Sequence, residues 1–334
     1  NNEIVEALQS LGTLYQAQMD YEQSSFYYEK AIIHYESQLP NKFGLYAECV
    51  MKLTMCYLQT GKSQIDTAIE CILKIIDNEN KTESESACHY FFYGSTLMLK
   101  GDYEMSMEIL NKALVYAQEN KSLLIHIQKT LSLCCCEIAD YQQAITFANL
   151  SIQTHRELYP QMENEHTVGI YYIIAYCFFR LDNIKEALSN AATGQTIVDK
   201  LSPTQPIQIE KASIYSMLAL IHSKQWNNRK ADKYSKIALN ICEQLVNSKD
   251  ESIHIEGIFE NLGELFINQN NFQKARIYYE KALQSYQQQL VDNHPKIQHL
   301  QSVINDIPDI ENTEQEPQQS VINYIYRRIF SFKK

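Results

Sequence analysis

The sequence contains little glycine and proline, nine and seven in 334 residues. Because both residue types mark turns between short strands, their scarcity favours long helices over a sheet fold. No apolar run reaches the length of about 18 residues that a helix needs to cross a bilayer. Basic residues are fewer than acidic ones, 29 against 40, and the net charge of −11 argues against a nucleic-acid partner. Apolar residues still make up 45% of the chain, which is enough for a hydrophobic core.

The nine cysteines are odd in number, and no two have the C-x-x-C spacing of a zinc or redox site. Unpaired thiols are typical of a reducing compartment, so the sequence predicts a cytoplasmic protein. Cys134, Cys135 and Cys136 are consecutive, and adjacent helical residues point about 100° apart, so they cannot bind one metal ion together. We interpret them as small buried side chains, with a redox role as the alternative. The sequence predicts no metal and no cofactor.

One segment occurs twice in nearly the same form, as SFYYEKAII at 25–33 and RIYYEKALQ at 276–284. Aligned on one small residue, the chain shows seven copies at steps of 38 to 44 residues. The aligned residues are Ser24, Ala68, Ser106, Ala144, Ala187, Ala231 and Ala275. A second, mostly small residue lies twelve positions earlier, at Gly12, Gly94, Ser132, Ala175, Ala219 and Gly263. A period of this size predicts an all-α solenoid of helix-turn-helix hairpins that stack on their neighbours.

The last copy, with Leu262-Gly263-x-x-Phe266, Phe272, Ala275, Tyr279 and Ala282, resembles the tetratricopeptide repeat pattern. The step of about 42 rather than 34 residues, together with Asn293-His294-Pro295, is similar to kinesin light chain repeats. The resemblance implies a right-handed superhelical α-solenoid of about seven repeats plus a capping helix, over residues 1–306. It also implies that the first helix of each hairpin lines the concave surface.

Two further segments follow the predicted solenoid. Residues 307–320 hold acids, no bases and two prolines, which is the composition of an acidic linker. Residues 321–334 hold four bases, no acids and an apolar stripe at i, i+3, i+4, i+7 and i+8, which predicts a basic amphipathic helix. Three interpretations stay open for this tail. It docks on its own acidic solenoid, it contacts a membrane or a separate protein, or it is unstructured.

Positions three before, one after and four after the small residue of each first helix are predicted to face a partner-binding groove. The candidates are Phe91, Ser95, Met98, Lys129, Leu133, Tyr172, Tyr176, Phe179 and Glu264. Asn261 matches the place where the kinesin light chain resemblance implies an asparagine that holds a peptide backbone. Exposed aromatic side chains in neighbouring repeats would form a partner site, unless the register is off by one and Tyr172 and Tyr176 belong to the core. Arg180 is interpreted as solvated, with pairing to an acidic residue of a partner as the alternative. Trp226 is interpreted as a packing residue, with partner contact as the alternative.

The sequence contains no phosphate-binding glycine loop, no H-E-x-x-H helix and no nucleophile elbow, so we predict no enzyme activity. The predicted function is a protein-protein interaction scaffold or adaptor that binds a peptide or helix in the concave groove. The alternative is the regulatory arm of a larger enzyme or signalling protein whose catalytic domain precedes Asn1. A structural part in a large assembly is a third possibility. The predicted partners are proteins or peptides, and membrane contact is expected only through the tail.

Overall fold

In a computed structural model, the described residues are 2–18, 20–36, 43–60, 65–76, 82–160, 162–246 and 255–308. Within these ranges the chain forms fifteen α-helices and no strand. Consecutive helices pair as hairpins, which confirms the predicted all-α solenoid class. The chain divides into two compact units, Asn1–Leu123 with Gln288–Val291, and Leu124–Gln287 with Asp292 onward.

The first unit contains six complete helices. They are α1 (Asn2–Ala17), α2 (Tyr21–Glu36), α3 (Phe43–Thr60), α4 (Ile65–Ile76), α5 (Glu83–Lys100) and α6 (Tyr103–Tyr116). A shared core joins the first four, with Tyr28 and Tyr35 of α2 packed against Leu53 and Tyr57 of α3. The α5 helix begins with a reciprocal cap, in which the Thr82 side chain accepts from Glu85 N and the Glu85 carboxylate accepts from Thr82 N.

The second unit contains most of α7 and α14, every helix between them, and α15. The helices are α7 (Lys121–Glu137), α8 (Tyr141–Leu158), α9 (Glu165–Arg180), α10 (Ile184–Val198), α11 (Gln205–Lys224), α12 (Asn228–Val246), α13 (Glu256–Asn268), α14 (Phe272–Gln289) and α15 (Pro295–Asp306). Proline at the first position and the His294 side chain, which accepts from Lys296 N, start α15. The apolar face of α15, with Ile297, Leu300 and Val303, is buried.

The small residues that define the repeat lie where the two helices of each hairpin touch. All seven aligned residues from Ser24 to Ala275 have 0% of their surface exposed. The Ser106 hydroxyl donates to the Gly94 carbonyl oxygen at 2.7 Å, and Ser24 donates to Gly12 in the same way at 2.8 Å. In the fourth hairpin the residue types are exchanged, so Ser132 on the first helix donates back to Ala144 at 2.8 Å. Each of these three hairpins therefore has one side-chain hydrogen bond between its helices, with the donor on the second helix in two of them and on the first helix in the other.

Glycine on the first helix makes room for a large side chain on the second. A Cβ atom on Gly94 would lie 2.6 Å from Leu110 Cγ, and one on Gly263 would lie 2.9 Å from the Tyr279 ring. Tyr279 is buried, and its partner glycine lies sixteen positions earlier. The small-to-large pairing predicted from the sequence is thus a direct contact between the two helices.

The turn within five of the hairpins, those whose turn residues the structure describes, repeats one backbone conformation. A residue with φ between 57° and 91° stands five positions before the aligned small residue, at Gly101, Ala139, Asp182, Trp226 and Asn270. The next residue sends its N–H back to the first helix, as from Asn271 to the Phe266 carbonyl at 2.8 Å. That residue is Asp or Asn, and in most hairpins its side chain also caps the second helix. Asn271 Oδ1, for example, accepts from Lys274 N at 3.1 Å.

Two sequence predictions fall wholly or mostly outside the described residues. The predicted acidic linker lies outside the described residues at 309–320. The predicted basic helix lies outside them along its whole length, 321–334. In the described part of the chain, no helix combines the length and the apolar character that a membrane crossing requires.

Candidate functional site on the inner face of the second unit

The first helices of the four hairpins in the second unit carry matching stripes of side chains. Each stripe occupies positions i, i+4 and i+8, and these lie on one side of an α-helix. The stripes are Lys129, Leu133 and Glu137 on α7; Tyr172, Tyr176 and Arg180 on α9; Ser216, Leu220 and Lys224 on α11; and Glu260, Glu264 and Asn268 on α13. Residues of α9 contact residues of α13, although a complete hairpin lies between them in the sequence. The stripes therefore share one surface, which we call the inner face.

Aromatic rings and one arginine form the centre of the inner face. The Tyr172 and Tyr176 rings stack with centroids 6.5 Å apart, and Tyr141 packs edge-on against Tyr176 at 6.3 Å. The Arg180 guanidinium lies 5.7 Å from the Tyr176 centroid and 5.9 Å from that of Tyr141. This arrangement holds a planar cation between two aromatic residues.

Arg180 pairs across the inner face with Glu264. Arg180 Nη1 lies 3.9 Å from Glu264 Oε2, and only 7% and 9% of the two side chains are exposed. Burial raises the pKa of Glu264 to about 7, although Arg180 and Lys224 favour the carboxylate. The pKa of Glu260, one turn earlier, is also raised by burial. Near neutral pH, a small change in pH therefore changes the charge of the α13 stripe.

Two asparagines one heptad apart join α13 to its neighbours. Asn261 Nδ2 donates to Ser216 Oγ at 2.9 Å and to Tyr172 Oη at 3.1 Å. Asn268 Nδ2 donates to Ser223 Oγ at 2.8 Å. Both amide protons of Asn261 are used inside the protein, whereas the buried Asn268 Oδ1 has no hydrogen-bond partner among the described residues. Asn268 thus offers an acceptor one turn after Glu264 on α13.

The last helix lies against the same face. Lys296 Nζ of α15 is 2.7 Å from Glu137 Oε1 of α7 and 3.4 Å from Tyr286 Oη. Tyr286 in turn donates to Glu260 Oε1 at 2.6 Å. Burial and the charge of Arg180 lower the pKa of His299, which also belongs to α15. The α15 helix therefore covers part of the inner face, where these polar contacts add to the burial of its apolar side.

The predicted groove residues divide into three groups. Tyr172, Tyr176, Asn261 and Glu264 meet in the network described above, and Lys129 and Leu133 are half-buried on the α7 stripe. Phe91, Ser95 and Met98 are half-buried on α5 and belong to the first unit. Phe179 is only 2% exposed, so it differs from the expected exposed anchor and is a core side chain.

Three polar side chains of the inner face were not among the predicted groove residues. Arg180 is buried and paired, so its interpretation as a solvated residue is wrong. Glu137 and Asn268 occupy the same position as Arg180, five residues after the small residue of the first helix. The signal was present in the sequence, because this position is charged or amide-bearing in all four hairpins of the second unit. The fourth position after the small residue, which the prediction used, is buried instead.

One other cluster lies outside the inner face. Cys134, Cys135 and Cys136 are buried, as the sequence predicts, and Cys136 Sγ lies 3.3 Å from Cys177 Sγ. The hydrogen bond with the Cys177 thiol and burial raise the pKa of Cys136, which weakens it as a nucleophile. Within the described ranges, no three His, Cys, Asp or Glu side chains are placed to hold a metal ion.

Hairpins with glycine–tyrosine contacts and a shared polar inner face define an α-solenoid of the interaction-repeat class. Tetratricopeptide repeat family models match residues 258–296, and also residues 5–32 and 90–120. No curated protein sequence gives a significant match. These matches show that the chain contains tetratricopeptide repeats. The resemblance to the kinesin light chain subtype stays a prediction.

Solved structures share the fold at low sequence identity. The apo form of RapI has a TM-score of 0.69 at 16% identity, over 85% of this chain and 98% of that one. NprR in complex with its cognate peptide NprX has a TM-score of 0.60 at 13% identity, over 96% and 88%. A tetratricopeptide repeat protein from Parabacteroides merdae has a TM-score of 0.56 at 12% identity, over 90% and 98%. These likenesses support the fold of the whole described array.

Proposed function

We propose that the chain is a protein-interaction scaffold that binds a peptide or helix of a partner on the inner face of the second unit. We propose binding rather than catalysis as the work of this face. The structural similarity to NprR, whose structure contains a bound peptide, supports the proposal at the level of the fold. The observation that carries it is the buried pair between Arg180 and Glu264 on facing stripes.

The packing of these helices does not require an ion pair at this position. Removing two charges from water costs several kcal/mol per ion, and apolar side chains of similar size often stabilise a fold equally well. A ligand with its own charges can exchange partners with Arg180 and Glu264 without leaving either of them unpaired. Asn268 Oδ1, one turn after Glu264, gives an incoming N–H an acceptor. Tyr172 and Tyr176 add the aromatic surface that supplies much of the affinity in protein interfaces.

A ligand can bind on this face only if α15 moves away or if the ligand binds beside α15. The bridge between Lys296 and Glu137 is partly exposed, with 32% and 22% of the two side chains accessible. Such exposed pairs contribute about 0–1 kcal/mol, so a ligand can compete with them. We therefore expect Glu137→Gln to strengthen ligand binding slightly, because it loosens α15 while leaving Tyr172, Arg180 and Glu264 in place.

The proposal is tested by selecting ligands for the purified protein from a random peptide display library and measuring their affinity. Arg180→Gln and Tyr172→Ala should each weaken binding about tenfold or more, which corresponds to about 1.4 kcal/mol. Arg156→Gln is the matched control, because Arg156 is an exposed arginine on α8 that donates to Tyr171. Circular dichroism verifies that each variant is folded. Equal affinity of Arg180→Gln and Arg156→Gln would exclude the inner face as the binding site.

A further inference from the structure

The only tryptophan of the chain is almost fully exposed. Trp226 is 79% exposed, and among the described residues its ring has no stacking or cation–π partner. The packing role that the sequence favoured is therefore wrong. Burial of a tryptophan normally contributes to stability, and most of this side chain is not buried.

Trp226 also occupies a backbone position that disfavours it. Its φ is 58°, in the left-handed region that favours glycine and asparagine. The same turn position holds Gly101, Ala139, Asp182 and Asn270 in other hairpins, so the turn forms without a large side chain. The fold thus accepts strain at Trp226 while most of its surface stays exposed. This combination points to a use outside the hairpin.

A row of uncompensated positive charges begins three residues after Trp226. Arg229, Lys233 and Lys236 are exposed and lie at i, i+4 and i+7 on α12, with exposed Lys230 beside them. The row is about 10 Å long, from the usual rise per residue. None of these four residues forms an ion pair with a described residue. The acid among them, Asp232, accepts a hydrogen bond from Gln269 Nε2 at 3.0 Å and points to the next hairpin.

The two features together select the chemistry of a partner. We infer that Trp226 and the α12 row of Arg229, Lys230, Lys233 and Lys236 form a docking surface for a short acidic segment of a partner protein that carries an aliphatic side chain. The acidic side chains pair with the row, and the aliphatic side chain packs on the indole ring. This surface is separate from the inner face and does not depend on ligand binding there.

A short segment fits this surface better than a large anionic one. The chain carries a net charge of −11, so an extended polyanion such as a membrane or nucleic acid meets repulsion beyond the row. A short peptide within a Debye length of about 8 Å is affected mainly by the local positive charges. The surface therefore discriminates by the size of the anion as well as by its sign.

The single tryptophan is the probe for the test. We would titrate the full chain with an acetylated, amidated peptide of sequence EELEELEE and record the Trp226 emission. The expected result is a blue shift that saturates and weakens with added salt, and that the matched peptide QQLQQLQQ does not produce. Because exposed ion pairs are each worth about 0.2–1 kcal/mol, Arg229→Gln/Lys233→Gln/Lys236→Gln should weaken binding by roughly threefold to a hundredfold.

The control variant Lys30→Gln/Lys74→Gln/Lys112→Gln removes the same charge from the first unit and should leave the affinity unchanged. Trp226→Gly, measured with a fluorescently labelled EELEELEE, should also weaken binding, and this readout does not need the tryptophan. No shift with EELEELEE would overturn the inference, as would equal losses in the two triple variants. A blue shift only with phosphatidylserine-containing vesicles, and not with phosphatidylcholine vesicles or peptide, would overturn it in favour of a membrane surface.

Discussion

Acid should destabilise the second unit through His166. This histidine of α9 lies in a cluster with His126 of α7 and His155 of α8, with ring centroids 5.4 and 5.9 Å from its own. Burial lowers the pKa of His166 to about 3, and the charges of Lys129 and the two other histidines act in the same direction. The ring is therefore neutral in the folded protein, where Nε2 lies 3.3 Å from Ser151 Oγ.

The size and sign of the effect follow from proton linkage. In the unfolded chain the pKa of histidine is about 6.5, so the unfolded state binds the proton first as the pH falls. The stability that depends on neutral His166 is complete above about pH 6.5 and is lost progressively between about pH 6.5 and 3. For a folded pKa of about 3, the loss between about pH 7.5 and 5 is about 2 kcal/mol. Protonation of Glu264 acts with the opposite sign in this range, since its raised pKa favours the protonated form.

The assay must therefore compare two proteins rather than two pH values alone. The free energy of unfolding in urea, followed by circular dichroism, is measured at about pH 7.5 and 5 for the wild type and for His166→Gln. We expect the variant to lose about 2 kcal/mol less between the two pH values, whatever the substitution costs at either one. His34→Gln on α2, where the side chain is exposed, is the control and should follow the wild type. Parallel pH profiles for His166→Gln and the wild type would refute the reasoning, and so would an NMR titration of His166 centred near 6.5.

Three further predictions concern the hairpins. Gly94→Ala should destabilise the first unit by about 1 kcal/mol in urea unfolding. A Cβ atom 2.6 Å from Leu110 Cγ overpacks the contact, which costs about 1–3 kcal/mol, and the better helix propensity of alanine offsets about 1 kcal/mol of this cost. A stabilised variant would contradict this contact. Cys136 and Cys177 should resist a thiol reagent in the native protein and react on unfolding, since both are buried. Fast labelling of the native protein would contradict this and would indicate that α7 separates from α9. Trp226→Gly should raise the free energy of unfolding by about 1 kcal/mol, because glycine adopts the left-handed conformation without strain and no buried ring is removed. A loss of stability would show that the indole packs on the protein.

The hairpin was predictable from the sequence because its geometry tolerates few residue types. The close approach of two helices admits only Gly, Ala, Ser or Thr at the contact, so positions such as Gly94 and Ser106 recur with a fixed spacing. The left-handed turn and the following cap give Asp or Asn a second fixed place, as at Asn271. Each constraint acts within one hairpin, and a local constraint leaves a periodic trace that one sequence can show.

The inner face was only partly predictable because its contacts join residues that are far apart in the chain. Asn261 and Tyr172 are 89 positions apart, and no local pattern pairs them. The same holds for Arg180 and Glu264, whose individual side chains give no sign of a partner. The register of Tyr172, Tyr176 and Glu264 follows from the helix period alone. The network that they form depends on how the hairpins of the second unit stack.

The positions that define the repeat are used for packing, and this explains why its best-kept motif carries no binding chemistry. In YYEKA the second tyrosine, Tyr279, fills the space beside Gly263, and Ala282 lies fully buried. Neither side chain can change without disturbing the hairpin, so neither is available to a ligand. The positions left free by packing are those of the stripes and of the turn, where Arg180 and Trp226 lie. Variation between hairpins at these positions costs the hairpin little, and it is there that one tetratricopeptide repeat array can differ from another in what it binds.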